Sequence, residues 1–207
     1  MAYDINSVTA DCYEGTACLI NKFGITDEKQ LSEIEADITF AKASELEANP
    51  LNGNFDIEHY KAIHRYLFED LYDWAGKFRT INISKKGTRF VDAKELENLC
   101  IKCFDRLKLK NYFLNMSFDN FVENIVDLYC TLNMLHPFRE GNGRTERIFI
   151  AQLIRFNGYD IDFSEIDCDY LMIATIQAAQ GVTDNLTEIF RENIIESSEQ
   201  DFAISMQ

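Results

Sequence analysis

Proline is scarce in this chain of 207 residues: there are two, Pro50 and Pro137, beside nine glycines. A turn-rich β protein needs many more such residues, so the shortage favours helices. Positive charge is also short. Twenty Lys and Arg stand against 35 Asp and Glu, a formal net charge of −15. A broadly acidic surface repels the phosphate backbone of nucleic acid and the anionic face of a membrane, so neither is expected as a direct partner. Long apolar runs are missing too. Nothing approaches the ~20 residues of a membrane span, and the opening MAYDINSV lacks the basic-then-apolar run of an export signal. Six cysteines are present (Cys12, Cys18, Cys100, Cys103, Cys130 and Cys168), but only Cys100 and Cys103 form a CxxC pair, with no second pair or nearby His to complete a zinc set. That pair lies in a stretch of helical periodicity, so buried, reduced thiols are the expectation. Reduced thiols without an export signal point to the cytoplasm.

What is present suits one packed domain: 46% hydrophobic residues, with 16 Phe. Apolar residues at helical spacing predict helices over about 27–48, 56–71, 92–109, 117–135, 144–156, 164–180 and 183–197. Asp56, Asp92 and Ser117 read as caps, and Asn157-Gly158 as a helix stop. The 144–156 stretch carries Ile148, Phe149, Ile150, Leu153 and Ile154 on nearly every side, so it should lie at the centre. Residues 80–91 differ. Thr80, Ile81, Ile83, Arg89, Phe90 and Val91 flank Lys85-Lys86-Gly87, the pattern of a short β-hairpin with a basic tip. A lone hairpin has no sheet to join, so it reads as a surface loop or as a cover over a site. The fold class is all-α, a helical bundle with one short hairpin.

Chemistry concentrates in His136-Pro137-Phe138-Arg139-Glu140-Gly141-Asn142-Gly143-Arg144-Thr145-Glu146-Arg147. A histidine at a helix end suits proton transfer near neutrality. Gly141-Asn142-Gly143 lets the backbone turn and present bare N–H groups just before a helix N-terminus, where the dipole favours an anion. Arg144 and Arg147, three apart, share a helix face. They oppose the dipole there, which makes a bound polyphosphate the natural compensation. Glu140 adds an oxygen ligand able to hold Mg²⁺ against phosphates.

This segment resembles the signature of the Fic family, HxFx(D/E)GNGRxxR, at every specified position. Residues 63–76 and Asn82-Ile83-Ser84-Lys85 are similar to the family's preceding helix and flap, and 13–24 to the start of short toxin-like members. The likeness covers about residues 13–195. It implies a single Fic domain over 1–207, with a core of about 56–195 and an N-terminal helical extension over 1–55. It implies a protein adenylyltransferase in which His136 deprotonates a target hydroxyl that attacks the α-phosphorus of ATP, releasing pyrophosphate. Glu140 would hold Mg²⁺ between α- and β-phosphates. Asn142 with the Gly141 and Gly143 backbone would hold the phosphates, Arg144 and Arg147 would bind the β- and γ-phosphates, and Phe138 would anchor the loop in the core. The hairpin, Ile81, Asn82, Ile83, Ser84, Lys85 and Lys86, would be the flap that docks an extended target segment.

Many Fic proteins are restrained by a helix bearing (S/T)xxxE(G/N), whose Glu pairs with the second motif Arg. No segment here has that form: Glu14-Gly15 follows Ala10, Ser32 precedes Ala36, Glu192-Asn193 follows Glu188, and Ser197 precedes Asp201. An unrestrained enzyme, or one restrained by a separate small antitoxin, is therefore the expectation; the class resembles the toxins of toxin–antitoxin pairs, with type II topoisomerase subunits among the target class. The alternatives are a Doc-like kinase transferring the terminal phosphate, against which Gly143 stands because such proteins place Lys there, another donor such as a different nucleotide or phosphocholine, and a nucleotide-binding protein without turnover, against which His136 and Glu140 stand.

Overall fold

Asp27 and Asp56 open the first two helices as side-chain caps. Each accepts a backbone N–H three residues on, from Gln30 and from His59. The helices are α1 (Glu28–Ala48) and α2 (Ile57–Phe68), followed in this computed structural model by α3 (Leu96–Leu109), α4 (Phe118–Leu135), α5 (Asn142–Phe156), α6 (Cys168–Ala179) and α7 (Asp184–Asn193). The structure describes residues 11–85 and 87–197. The opening octapeptide and Lys86 of the expected basic tip therefore lie outside the described residues.

α5 is central, as its all-round apolar pattern predicted. It packs against α1, α2 and α4, and Phe149, Ile150, Leu153 and Ile154 are fully buried. α6 and α7 cover the far side of α4. The hairpin is present in reduced form: β1 (Ser84–Lys85) pairs antiparallel with β2 (Thr88–Arg89) across a turn at Gly87. Ile83, Phe90 and Ile81 form a small apolar cluster of their own beneath it. Cys100 and Cys103 are free and buried, and burial pushes both thiols up to about 12, which keeps them protonated.

Several expected boundaries move, each for a local reason. α2 stops at Phe68, because its carbonyl accepts the N–H groups of both Leu71 and Tyr72 in a turn; these two side chains stay buried. Asp92 makes no side-chain cap. Its carboxylate takes Arg89 instead, and Asn82 Oδ1 accepts the Ala93 N–H at 2.8 Å. Ser117 makes no side-chain cap either. Ser164 does not begin α6: the Asp162 carboxylate captures its N–H and hydroxyl in a tight turn, and Asp167 caps the helix at Tyr170. α7 ends at Asn193. Ile194 turns extended, and β4 (Ile195–Glu196) pairs antiparallel with β3 (Tyr159–Asp160), a second ribbon beside the one the sequence suggested.

Candidate active site

α4 ends on His136, whose φ of 44° puts a non-glycine residue in the left-handed region. Such a conformation costs about 1 kcal/mol or more and persists only where the surroundings fix it. The imidazole is 7% exposed and stacks on Phe90 of the hairpin, with ring centroids 3.8 Å apart and planes 9° from parallel. Its Nδ1 lies 3.2 Å from the Asn133 carbonyl. A carbonyl only accepts, so Nδ1 carries the proton and Nε2 the basic lone pair. Burial pushes the ring down to about 3; the Asn133 bond opposes this, and Lys85 and Arg79 add to it. The free protein therefore holds a neutral imidazole at pH 7.

Residues 137–141 are held from inside. Phe138 is fully buried, stacked 3.8 Å from His64 and 5.5 Å from Tyr60. The Asn142 side chain both accepts the Phe138 N–H and donates to its carbonyl, each at 2.8 Å. That amide braces the loop, and the backbone N–H of Asn142 lies in the first turn of α5. The fully buried His64 accepts the Gly76 N–H on Nδ1 at 2.8 Å and reaches the Glu140 carbonyl with Nε2 at 3.0 Å. It is therefore the Nε2–H tautomer, opposite to His136.

α5 begins two residues earlier than its apolar pattern suggested. Gly141 takes the cap position with φ 77°, and no side chain caps the helix. The first-turn N–H groups of Asn142, Gly143 and Arg144 have no intrahelical acceptor, which is the condition for binding an anion there. Arg147 lies over Gly143: a Cβ built on that glycine would stand 3.4 Å from Nη1. Glu140 is partly exposed beside this turn, with Oε1 accepting the Gly141 N–H at 2.9 Å and lying 3.8 Å from Arg144 Nη2.

These groups border one cleft of about 880 Å³, within the size range of sites for small organic ligands. His136, Gly141, Asn142, Gly143 and Arg147 line its floor. Leu31, Glu35 and Thr39 of α1 form one wall, and Leu171, Met172 and Ile176 of α6 an apolar one. Lys85 reaches in from the hairpin. Of the other flap residues, Ile83 is buried, Ile81 and Ser84 are half-buried, and Asn82 serves as the cap described above.

Arg144 is placed differently from Arg147. Its guanidinium lies against α1, with Nη2 2.5 Å from Glu35 and Nη1 2.8 Å from Thr39, and it sits 4.8 Å over the Phe68 ring. Tyr72 donates to the same carboxylate. Glu35 and Thr39 lie outside the sequence motif, more than a hundred positions before Arg144, and no local pattern ties them to it. Arg79 lies outside the motif as well. It is 5% exposed, and its guanidinium reaches the His136 carbonyl.

Residues 54–154 match the model of the Fic/DOC family. "Protein adenylyltransferase VbhT" of Bartonella schoenbuchensis is 34% identical over 87% of this chain, which spans 38% of that longer relative. "Probable protein adenylyltransferase Fic" of Salmonella typhimurium is 32% identical, covering 90% of this chain and 92% of the relative. Among solved structures, BepC of Bartonella tribocorum with bound AMPPNP superposes with a TM-score of 0.83 at 28% identity, over 91% of this chain and 97% of that one. The N-terminal Fic domain of a Bep effector of Bartonella quintana with bound ADP gives 0.85 at 28% identity, over 93% and 97%. By sequence, fold and loop, the chain belongs to the Fic/DOC family, as one of its protein adenylyltransferases.

Proposed function

We propose that the cleft binds ATP and that His136 drives transfer of its AMP to a Tyr, Ser or Thr hydroxyl of a target protein. The observation that carries this reading is the tautomer. With Nδ1–H held on Asn133, the basic Nε2 belongs to a ring on the floor of a cleft whose other floor groups suit an anion. The triphosphate lies over the first-turn N–H groups of α5 with Arg147 beside them, and the purine meets the apolar wall of α6. The target hydroxyl gives its proton to Nε2 as its oxygen forms a bond to the α-phosphorus. The bond from that phosphorus to the bridging oxygen breaks, and pyrophosphate leaves. The negative charge of the nucleotide raises the His136 pKa from its low value in the free protein, which strengthens the base at the moment it is needed.

Glu140 fits a role in holding Mg²⁺. A partly exposed carboxylate beside a phosphate site matches an ion that takes one or two carboxylates and fills its shell with phosphate oxygens and water. When bound, the ion would neutralise charge on the phosphates. The hairpin of β1 and β2 serves as the flap that docks an extended target segment by strand-type hydrogen bonds. Asn142 acts through its backbone, and Arg144 divides its charge between α1 and the phosphates. The single Fic domain extends over residues 1–207, and the protein works in the cytoplasm as the toxin of a toxin–antitoxin pair, with a type II topoisomerase subunit as target and a small antitoxin carrying SxxxE(G/N) as restraint. The basis for this is the likeness of residues 13–24 to the start of toxin-like members and the lack of an inhibitory motif within the 207 residues.

Incubation with bacterial lysate and ATP labelled at either the α- or the γ-phosphorus tests the reaction. Label from the α-position on a lysate protein supports AMP transfer. Label from the γ-position alone identifies a kinase instead, and no label from either in the presence of Mg²⁺ contradicts an unrestrained transferase.

A further inference from the structure

Arg79 lies between α2 and the hairpin, outside the motif, and buries a cation at the place where three segments meet. Its Nε donates to the His136 carbonyl at 2.8 Å, and Nη2 reaches the Leu135 carbonyl at 3.3 Å. Nη1 donates to Ile81 at 2.7 Å, Nη2 also to Val91, and the Arg79 backbone N–H donates to Pro137 at 2.8 Å. Two of these acceptors are carbonyls at the C-terminal end of α4, where the helix leaves acceptors unsatisfied and a cation is favoured. Two others are the feet of the hairpin, Ile81 before β1 and Val91 after β2. Bonds to the carbonyls of Leu135 and His136 hold the peptide groups on both sides of the His136 Cα, and so sustain its left-handed φ and ψ; the backbone bond to Pro137 holds the next peptide. The held feet in turn set Phe90, next to Val91, over the His136 ring.

We propose that Arg79 is a positioning residue whose guanidinium ties both feet of the hairpin to the backbone of His136, so that the target-docking strand and the catalytic base keep one fixed geometry. The proposal rests on the reading of His136 as the base and of the hairpin as the docking flap. Lysine cannot reproduce it, because one ammonium on a flexible stem cannot hold carbonyls of the helix end and of both feet in the plane of a fork.

The chain has three histidines, His59, His64 and His136, so ring NMR of imidazole-labelled protein reads each one, and His64 serves as an internal control of the fold. In the wild type His136 should show the Nδ1–H tautomer with ring protons shifted upfield by Phe90, and His64 the Nε2–H tautomer. In Arg79→Lys and Arg79→Ala, the His64 signature should persist while His136 loses its upfield shift and becomes a mixture of tautomers. AMPPNP should still bind, and AMP transfer should fall by ~10–100-fold, the scale expected for a base displaced by about 1 Å. An unchanged His136 signature in the folded variants overturns the proposal. So does joint loss of both signatures in the lysine as well as the alanine variant, which would make Arg79 a support of the whole fold. If the signatures change as expected but His136→Ala retains transfer, the reading of His136 fails while the positioning role stands.

Discussion

At Gly141 the backbone has φ +77°, and a Cβ placed there would stand 2.1 Å from Cζ of the buried Phe68 ring. Both facts demand glycine, one through conformation and one through space. Gly141→Ala should therefore destabilise the protein by about 3 kcal/mol, combining a left-handed alanine with an overpacked core. It should also weaken AMPPNP binding, because the first turn of α5 must shift; a melt and a binding titration check the two effects. A variant with wild-type stability would mean that the loop relaxes freely and does not preorganise the site. The gathering of this loop was legible in the sequence: His136, Gly141, Gly143 and Arg147 fall within twelve residues and line one cleft, and the roles proposed for them follow from residue type and spacing. The division of labour between side chain and backbone was not legible. Whether Asn142 faces a phosphate or braces Phe138 depends on which way the amide points, and spacing does not record that.

Among the elements, α1 has the most specific link to the site. Glu35 is held by Arg144 and Tyr72, with side-chain exposures of 12% for Glu35 and 29% for Arg144. Breaking such a half-buried pair should cost about 2 kcal/mol, less than a fully buried one because solvent screens it. If Arg144 also serves the phosphates, Glu35 competes with them. Glu35→Ala should then lower the melting temperature yet tighten AMPPNP binding severalfold. Unchanged affinity would make Arg144 a strut for α1 and leave the phosphates to Arg147 and the helix N-terminus. This contact is the one place where a helix-borne carboxylate meets a motif arginine among the described residues, and it involves the first arginine, not the second. The helices themselves were largely legible, because caps and apolar spacing are local. The pairing of β3 with β4 was not, since it joins residues 35 positions apart by backbone bonds that leave no periodic trace. Arg79 was hidden for a similar reason: its partners are backbone carbonyls, which have no residue type to read.

For the whole molecule, buried titratable groups set how stability responds to acid. Burial pushes His64 and His136 down to about 3, and lowers His59 as well. As pH falls below about 6.5, the unfolded chain takes up these protons before the folded one, so stability rises with pH over this window, by up to about 1.4 kcal/mol per pH unit for each histidine. Glu146 acts in the opposite sense. Burial holds its carboxyl well above the usual range, with Arg147 opposing, so the folded protein keeps a proton that the unfolded chain releases above about 4.5. The histidines outnumber it, and urea midpoints should fall from pH 6.5 to pH 5. Glu146→Gln removes the opposing contribution and should steepen that fall; an unchanged slope would mean that Glu146 is ionised in the fold. The same burial that makes His136 a neutral acceptor thus gives the protein its weakness in acid.

The central claim is that His136 takes the proton in AMP transfer, and the most direct measurement compares His136→Ala with the wild type using α-labelled ATP and the lysate substrate, alongside AMPPNP binding. The account predicts transfer reduced by ~10²–10⁴-fold, the usual contribution of a general base, with AMPPNP binding nearly unchanged. Transfer near the wild-type rate, in a variant that binds AMPPNP, would contradict it.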